Sequence, residues 1–192
     1  VMNLAAVGRL VAEQRFKDLD KLKICKLLYY VDKYHLLRFG KPVIGDMYVH
    51  LDNGPVPSKS LDIMNEVICR DKIFITTGVT NKDKLKEYVK VKKHFGHFFP
   101  VFEIIKEANF DCLSASEQEA IRDTIKRYGK CSPLELIELT HKDASWQETQ
   151  NTEEIDYRLF FQNEPEAKTG ALEYMESLAL DSELMTLLEC SG

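Results

Sequence analysis

The apolar residues of this chain recur mainly at helical spacing, with shorter alternating runs between them. Spacings of three and four residues predict helices, while serine, aspartate, proline and glycine mark their ends. The predicted helices lie near residues 4–11, between Asp20 and Gly40, after Ser58, after Pro100, between Ser114 and Gly129, after Ser132, and over residues 155–161 and 172–188. The chain is therefore expected to be mainly helical.

Three short segments are predicted to be strands. They span residues 43–51, 73–77 and 88–92, and in the last of them Val89 and Val91 alternate with Lys90 and Lys92. Such alternation is typical of a half-buried strand. The predicted fold class is α+β, a compact and mainly α-helical domain with a small antiparallel sheet of about three strands.

The helix between Asp20 and Gly40 has the clearest end signals. Asp20 can accept hydrogen bonds from the first turn, and Gly40 can adopt the left-handed conformation past the last turn. Helical spacing places one set of residues on an apolar face and a second set opposite: Ile24, Leu27, Leu28, Val31 and His35 against Lys23, Lys26 and Lys33. Asp32 falls on the flank of the apolar face.

Length and charge suggest one domain with an extension. The 192 residues carry a net charge of −5, but eleven acids and only two bases lie after residue 146. We predict a domain over residues 1–164 and an acidic helical extension over residues 165–192. This extension should pack loosely, or fold as amphipathic helices against the body or a second copy.

The location expected from the sequence is the cytoplasm, without membrane contact. No apolar run approaches the ~20 residues that a membrane span needs, and no signal-peptide pattern is present. The five cysteines form no Cys-x-x-Cys pair, which disfavours a disulfide framework or a cysteine-rich zinc site.

A succession of short motifs occupies residues 26–57, and two further motif residues follow downstream. The motif residues are Lys26, Leu28, Tyr29, Asp32, Gly40, Pro42, Gly45, Asp46, Tyr48, Gly54, Pro55, His141 and Trp146. In this order and spacing the chain resembles the Panacea family, the SocA-like antitoxin domain that also has phage-associated members.

The resemblance implies protein binding. Members of the family neutralise unrelated toxins by direct contact, and the SocA-like branch delivers its toxin to the ClpXP protease. The implied function is a non-catalytic antitoxin of a bacterial or prophage toxin–antitoxin system. Its implied partners are a cognate protein toxin and a ClpX-type protease. No cofactor and no metal are expected. Whether the chain also forms a homodimer is left open by the sequence.

An enzyme is the first alternative, because Asp32, His35, Asp46 and His50 lie close together in sequence. Two carboxylates and a histidine can bind a metal or perform acid–base chemistry. In the structural alternative, both aspartates bond the backbone of the tight turn between them. Since burying an unpaired carboxylate is costly, we predict that both are buried and hydrogen-bonded.

A nucleic-acid-binding module is the second alternative. A predicted hairpin over residues 82–93 carries the lysines Lys82, Lys84, Lys86, Lys90, Lys92 and Lys93. Such a basic stretch can bind phosphates, or it can simply protect a sheet edge. Only one arginine lies between residues 39 and 121 and no base-reading motif occurs, so nucleic acid is the less favoured partner.

Aromatic residues supply the candidate anchors for a protein partner, because aromatic side chains dominate many interfaces. The candidates are Tyr30, Tyr34, Phe95, Phe98, Phe99 and Phe102. Trp146, which follows His141 at the end of a predicted helix, is a further candidate, and its alternative role is to pack on His141.

Overall fold

One central helix organises the fold. The structure, a computed structural model, describes residues 19–68, 87–92, 99–106, 111 and 113–190. Helix α1 (Lys21–Phe39) begins after Asp20, whose carboxylate accepts a hydrogen bond from the Lys23 amide at 2.9 Å. It ends at Gly40, whose φ of 66° lets its N–H donate to the Leu36 carbonyl at 2.8 Å. Both predicted ends of this helix are confirmed.

Helix α1 is buried on all sides. Every residue from 23 to 37 is buried, including the three lysines that helical spacing places opposite the apolar face. Lys26 donates to the Pro55 carbonyl, and Lys33 forms ion pairs with Asp143 and Glu164. Such partners are needed because an isolated ammonium group is very costly to bury.

Five more helices are described around α1. They are α2 (Ser58–Ile68), α3 (Ala115–Tyr128), α4 (Pro133–Thr140), α5 (Ala144–Gln147) and α6 (Ala171–Cys190), with a 3-10 turn at Tyr157–Phe161. The predicted helix starts at Ser114 and Ser132 are confirmed, and each serine forms a capping box, with Glu117 and Glu135 respectively. None of these helices, as far as the chain is described, is long and apolar enough to cross a membrane.

The strands form two separate antiparallel pairs. Strand β1 (Tyr48–Val49) pairs with β2 (Val56–Pro57), and β3 (Val89–Lys92) pairs with β4 (Val101–Ile104). The mainly helical α+β class is therefore confirmed, and the strands of the described residues form two antiparallel hairpins. The strand predicted over residues 43–51 shrinks to β1, while the predicted strand 73–77 and helix 4–11 lie outside the described residues.

The helix predicted after Pro100 is wrong, because that segment is strand β4. Phe102 lies opposite Val91 of β3, and its N–H donates to the Leu19 carbonyl at 2.8 Å. A proline can start either a helix or an extended segment. The hydrogen bonds from β3 and from Leu19 decide between the two, and both come from residues distant in sequence.

Two clusters of buried side chains form the core, and α1 contributes to both. The first joins α1 to α2, α3 and the β3–β4 pair through Leu28, Val31, Met64, Val89, Phe102 and Ile121. The second joins α1 to β1, α4 and the 3-10 turn through Tyr29, Leu36, Tyr48, Leu136 and Phe160. Helix α1 therefore lies between the two clusters and gives a motif residue to each, Leu28 to the first and Tyr29 to the second.

The first turns of α6 tie the extension to the core. Ala171 is buried, Met175 packs against the second core cluster, and the Lys168 amide donates to the Leu37 carbonyl at 2.8 Å. Packing as a helix against the body was one of the arrangements predicted for residues 165–192. Their separation from a domain over residues 1–164 stays a prediction.

Candidate partner-binding site

Asp32 fastens the Gly-Asp turn to α1. One carboxylate oxygen accepts hydrogen bonds from the amides of Val43 at 2.8 Å and Ile44 at 2.7 Å. The other accepts from the Gly45 amide at 3.2 Å and from the Tyr48 hydroxyl at 2.9 Å. Burial raises the pKa of Asp32 to about 6, while these four hydrogen bonds oppose that rise. The carboxylate is fully occupied by its own turn.

Asp46 fastens the next element, helix α2. Its carboxylate accepts from the amides of Lys59 at 3.0 Å and Ser60 at 2.8 Å, and from the Ser60 hydroxyl at 2.6 Å. Asp46 therefore supplies the helix cap that the sequence assigned to Ser58. Its own carbonyl accepts from the Tyr157 hydroxyl at 2.6 Å. The prediction that both aspartates are buried and hydrogen-bonded is confirmed.

The two histidines of the enzyme alternative are bonded elsewhere. His35 Nδ1 bonds the Lys41 carbonyl at 2.6 Å and Nε2 bonds the Ser116 hydroxyl at 3.1 Å. His50 Nδ1 bonds the Thr149 carbonyl at 2.6 Å. Within the described residues, no group of three or more histidine, cysteine or acidic side chains is placed to hold a metal ion. Within the described residues, both histidines are therefore bonded to other segments of the fold.

Lys26 lies buried against the Gly-Pro motif. Its ammonium donates to the Pro55 carbonyl at 2.7 Å, and burial lowers its pKa to about 7. Gly54 has a φ of 87°, and a Cβ there would lie 2.9 Å from Lys26 Nζ and 2.5 Å from Thr140 Oγ1. Only glycine fits this backbone at that distance. The lysine and the glycine of the two motifs therefore form one packed unit.

His141 and Trp146 stack at the end of α4. Their ring centroids are 3.9 Å apart and the rings are nearly parallel, while the centroid of the His50 ring lies 4.4 Å from that of Trp146. The indole N–H donates to the Leu51 carbonyl at 3.2 Å. Burial lowers the pKa of His141. The three rings connect the loop after β1 to α4, which is the packing role weighed for this pair.

A buried polar network around Tyr29 is absent from the sequence predictions. The Tyr29 hydroxyl bonds the Asp143 carboxylate at 2.9 Å and the Ser145 hydroxyl at 2.6 Å. Lys33 pairs with the same Asp143 at 2.9 Å and with Glu164. In sequence, Asp143 looks like a residue that caps the short helix after it. This local pattern gives no sign that its carboxylate bonds Tyr29, more than 100 residues earlier.

The aromatic candidates for partner contact are largely covered. Tyr30, Tyr34 and Phe102 are buried, and the Tyr34 hydroxyl donates to Asp123 at 2.7 Å. Phe99 is half-buried, with the Lys21 ammonium 4.7 Å from its ring centre. The remaining two candidates, Phe95 and Phe98, lie outside the described residues. A role as partner anchors stays a prediction, and for the buried rings it requires a change in packing.

The lysine hairpin is described only in part. Lys90 and Lys92 are exposed on β3, and Lys92 pairs with Glu103 of β4 at 2.7 Å. The other four lysines, Lys82, Lys84, Lys86 and Lys93, lie outside the described residues. The ion pair between Lys92 and Glu103 joins the two strands, as expected when lysines protect a sheet edge.

The comparison with protein families settles which family this architecture represents. A family model described as antitoxin SocA-like, Panacea domain, matches residues 24–147. The chain belongs to this family. No curated protein and no solved structure matches it significantly. The match runs from α1 to the end of α5 and includes every motif residue named above.

In the described part of this SocA-like domain, clefts border α1 on two sides. One cleft of about 430 Å³ borders Lys26 and is lined also by Cys25, Leu51, Val56 and Leu61. The other, of about 230 Å³, lies between α1 and α3 and is lined by charged side chains that include Lys33 and Glu164. Most motif residues are buried, whereas Lys26 also borders an open cleft and Gly45 is exposed.

Proposed function

We propose that this chain is the antitoxin of a bacterial or prophage toxin–antitoxin pair and neutralises its protein toxin by direct contact. The family match over residues 24–147 carries the proposal. We propose further that the chain acts in the cytoplasm and presents the toxin to a ClpX-type protease, as the resemblance implies.

The way the motif is used supports binding over catalysis. A general acid or base must reach a proton on the substrate. Asp32 accepts four hydrogen bonds and Asp46 three, and all donors belong to the chain itself. The motif therefore acts as a scaffold that keeps α1, the Gly-Asp turn and α2 in fixed positions, while the surrounding surface meets the partner.

Co-expression with the product of the adjacent gene is the first experiment. Cells that make the adjacent protein alone should stop growing, and cells that also make this chain should recover. With purified proteins, toxin activity should fall to zero at a fixed molar ratio, because direct contact consumes one antitoxin per complex. An enzyme would instead neutralise a large excess of toxin over time.

The protease step needs a separate arm of the experiment. In cells lacking ClpX, toxin should accumulate in the presence of this chain, whereas cells with ClpX should clear it. Unchanged toxin levels in both strains would reject the adaptor role and leave direct neutralisation standing. Failure of the chain to bind the toxin or to restore growth, with an unrelated protein as control, would overturn the antitoxin proposal.

A further inference from the structure

Two glutamates lie at the cleft between α1 and α3 and contact three cations there. Glu164 forms an ion pair with Lys33 of α1. Both carboxylate oxygens of Glu166 accept from Arg127 of α3, at 3.0 Å and 3.3 Å, and one of them lies 3.7 Å from the Arg38 guanidinium of α1. We call the two glutamates and the proline between them the acidic segment, and the three cations the basic face.

The basic face and the acidic segment come from different parts of the chain. The basic face lies within residues 24–147, the part that matches the family model, whereas the acidic segment follows that part. The backbone is anchored on both sides of the acidic segment. Phe160 is buried before it, and after it the Lys168 amide donates to the Leu37 carbonyl at 2.8 Å. The matched domain therefore supplies a basic face, and the chain that follows covers it.

The contacts of Glu166 can be exchanged without movement of this backbone. The side chains of Arg127 and Glu166 are 42% and 45% exposed. Ion pairs between exposed side chains add little to stability, and they weaken as salt is added. A carboxylate of another molecule can therefore replace that of Glu166 once the Glu166 side chain turns into solvent.

The cleft beside the acidic segment has room for side chains of a partner. Its volume is about 230 Å³, and part of its wall consists of tyrosine and leucine side chains, namely Tyr30, Tyr34, Tyr128, Leu37 and Leu139. Thr124 also lines the cleft, and its buried hydroxyl has no hydrogen-bond partner among the described residues. A buried donor without an acceptor is costly, so this hydroxyl would gain from a carboxylate in the cleft.

These features favour an acidic peptide as the occupant. The basic face already holds a peptide segment whose carboxylates meet arginine and lysine, and charge-assisted hydrogen bonds of this kind are strong. An acidic peptide can also place apolar neighbours against the tyrosine and leucine wall. Nucleic acid would meet the same cations through its phosphates, but the net charge of −5 repels a long polyanion, and phosphates gain nothing from that wall.

We propose that the basic face binds an acidic segment of the toxin, and that the chain's own acidic segment covers this face until the toxin displaces it. The proposal rests on the proposed antitoxin function for the identity of the partner. Its chemistry rests on the contacts of Lys33, Arg38 and Arg127. The strength of toxin binding would then depend on competition between two acidic segments for the same cations.

The chain's own segment supplies a probe that needs no knowledge of the toxin. A labelled peptide with the sequence of residues 161–168 contains both glutamates, and a control peptide replaces both with glutamine. In the full chain, Glu164→Gln combined with Glu166→Gln uncovers the basic face. We expect this uncovered variant to bind the acidic peptide about tenfold more tightly than the parent in fluorescence anisotropy, and to gain nothing for the glutamine peptide. Raising NaCl from about 50 mM to about 300 mM should weaken the binding severalfold.

Two further variants separate local contacts from net charge. Adding Arg38→Gln and Arg127→Gln to the uncovered variant should return peptide binding to the level of the parent, because the peptide loses both arginines. The matched control is Glu173→Gln with Glu176→Gln, which removes two exposed acids from α6, changes the net charge equally and should bind the peptide as the parent does. Circular dichroism should show the same helix content in all variants. If the uncovered variant does not fold, Glu166→Gln alone replaces it.

Several results would overturn the proposal. These are equal binding of the acidic peptide by the parent and the uncovered variant, equal binding of the two peptides, or an equal gain in the control variant. An equal gain for a single-stranded oligonucleotide of similar length would assign the basic face to nucleic acid instead. A dimer of the parent in sedimentation that the uncovered variant dissolves would assign the acidic segment to contact with a second copy.

Toxin co-expression distinguishes this proposal from the antitoxin proposal. The uncovered variant should restore growth as well as the parent does, whereas Arg38→Gln with Arg127→Gln should restore it poorly at the same protein level. If the parent and this arginine variant restore growth equally, toxin binding at the basic face is rejected alone. If the parent fails, the antitoxin proposal falls, and the peptide titrations still decide the chemistry of the basic face.

Discussion

Replacing Lys26 with methionine removes the buried ammonium group at the centre of the motif. Lys26 is fully buried, and its ammonium group donates a hydrogen bond to the Pro55 carbonyl at 2.7 Å. Methionine has a similar length and no charge, so it fits the same space with little change of volume. The lost hydrogen bond shifts stability by a constant amount, whereas the lost charge changes how stability depends on pH.

The sign follows from the pKa of Lys26, which burial lowers from 10.5 to about 7. Between these two values the unfolded chain binds one more proton than the folded chain, so the free energy of unfolding rises with pH. The contribution is complete above the unfolded pKa and is lost as the pH falls towards 7. Each pH unit is worth at most about 1.4 kcal/mol.

The pH range best suited to this measurement is 7 to 8.5, because the other groups with a shifted pKa keep their protonation state there in the folded protein. Burial raises the pKa of Asp32 to about 6 and lowers those of His35 and His141, so all three titrate below the window. Burial raises the pKa of Cys25 from 9.0 to about 12, which places it above. Across the window the parent should gain about 2 kcal/mol relative to Lys26→Met.

Urea unfolding followed by circular dichroism at several pH values measures this difference. The control is Lys126→Met, because Lys126 is exposed on α3, and its profile should run parallel to that of the parent. Parallel profiles for the parent and Lys26→Met would refute the reasoning. They would mean that Lys26 keeps its proton in the folded protein and that its environment is more polar than the structure indicates.

Three further predictions concern the same scaffold. Asp32→Ala should lower the free energy of unfolding by about 3 kcal/mol, because four hydrogen-bond donors lose their acceptor. Unchanged stability together with lost toxin neutralisation would instead assign Asp32 to the toxin interface. Gly54→Ala should lower the free energy of unfolding, measured in urea, more than Gly170→Ala does. Both glycines have a positive φ, but of the two only Gly54 has a neighbouring atom that an added Cβ would meet, at 2.5 Å. Truncation after Glu164 should lower Tm by about 6–12 °C through loss of roughly 3 kcal/mol of packing on α1, whereas truncation after Ala179 should stay within a few degrees. Equal melting of the two truncated chains would show that the first turns of α6 add nothing to the core.

The sequence by itself determined the local elements of this protein. The caps at Asp20, Ser114 and Ser132 and the stop at Gly40 are confirmed, because each depends on hydrogen bonds within three or four residues. The mainly helical α+β class follows from the same periodicity. The family also follows from sequence, because motif order and spacing are properties of the chain alone.

The tertiary structure decided what the motif residues contact. Lys26 and Lys33 look like surface residues in a helical pattern, and their partners lie on other elements, at Pro55, Asp143 and Glu164. A local pattern contains no information about such partners, so it cannot predict the burial of a charged side chain.

The same reason explains the element that was predicted wrongly and the helix cap that comes from a distant residue. The segment after Pro100 becomes strand β4 because β3 and Leu19 supply its hydrogen bonds, and the cap of α2 comes from Asp46, more than ten residues before it. The apolar residues of α6 look the same in sequence whether covered or open. Only the tertiary structure shows that Ala171 is buried while Leu178 and Leu180 are exposed.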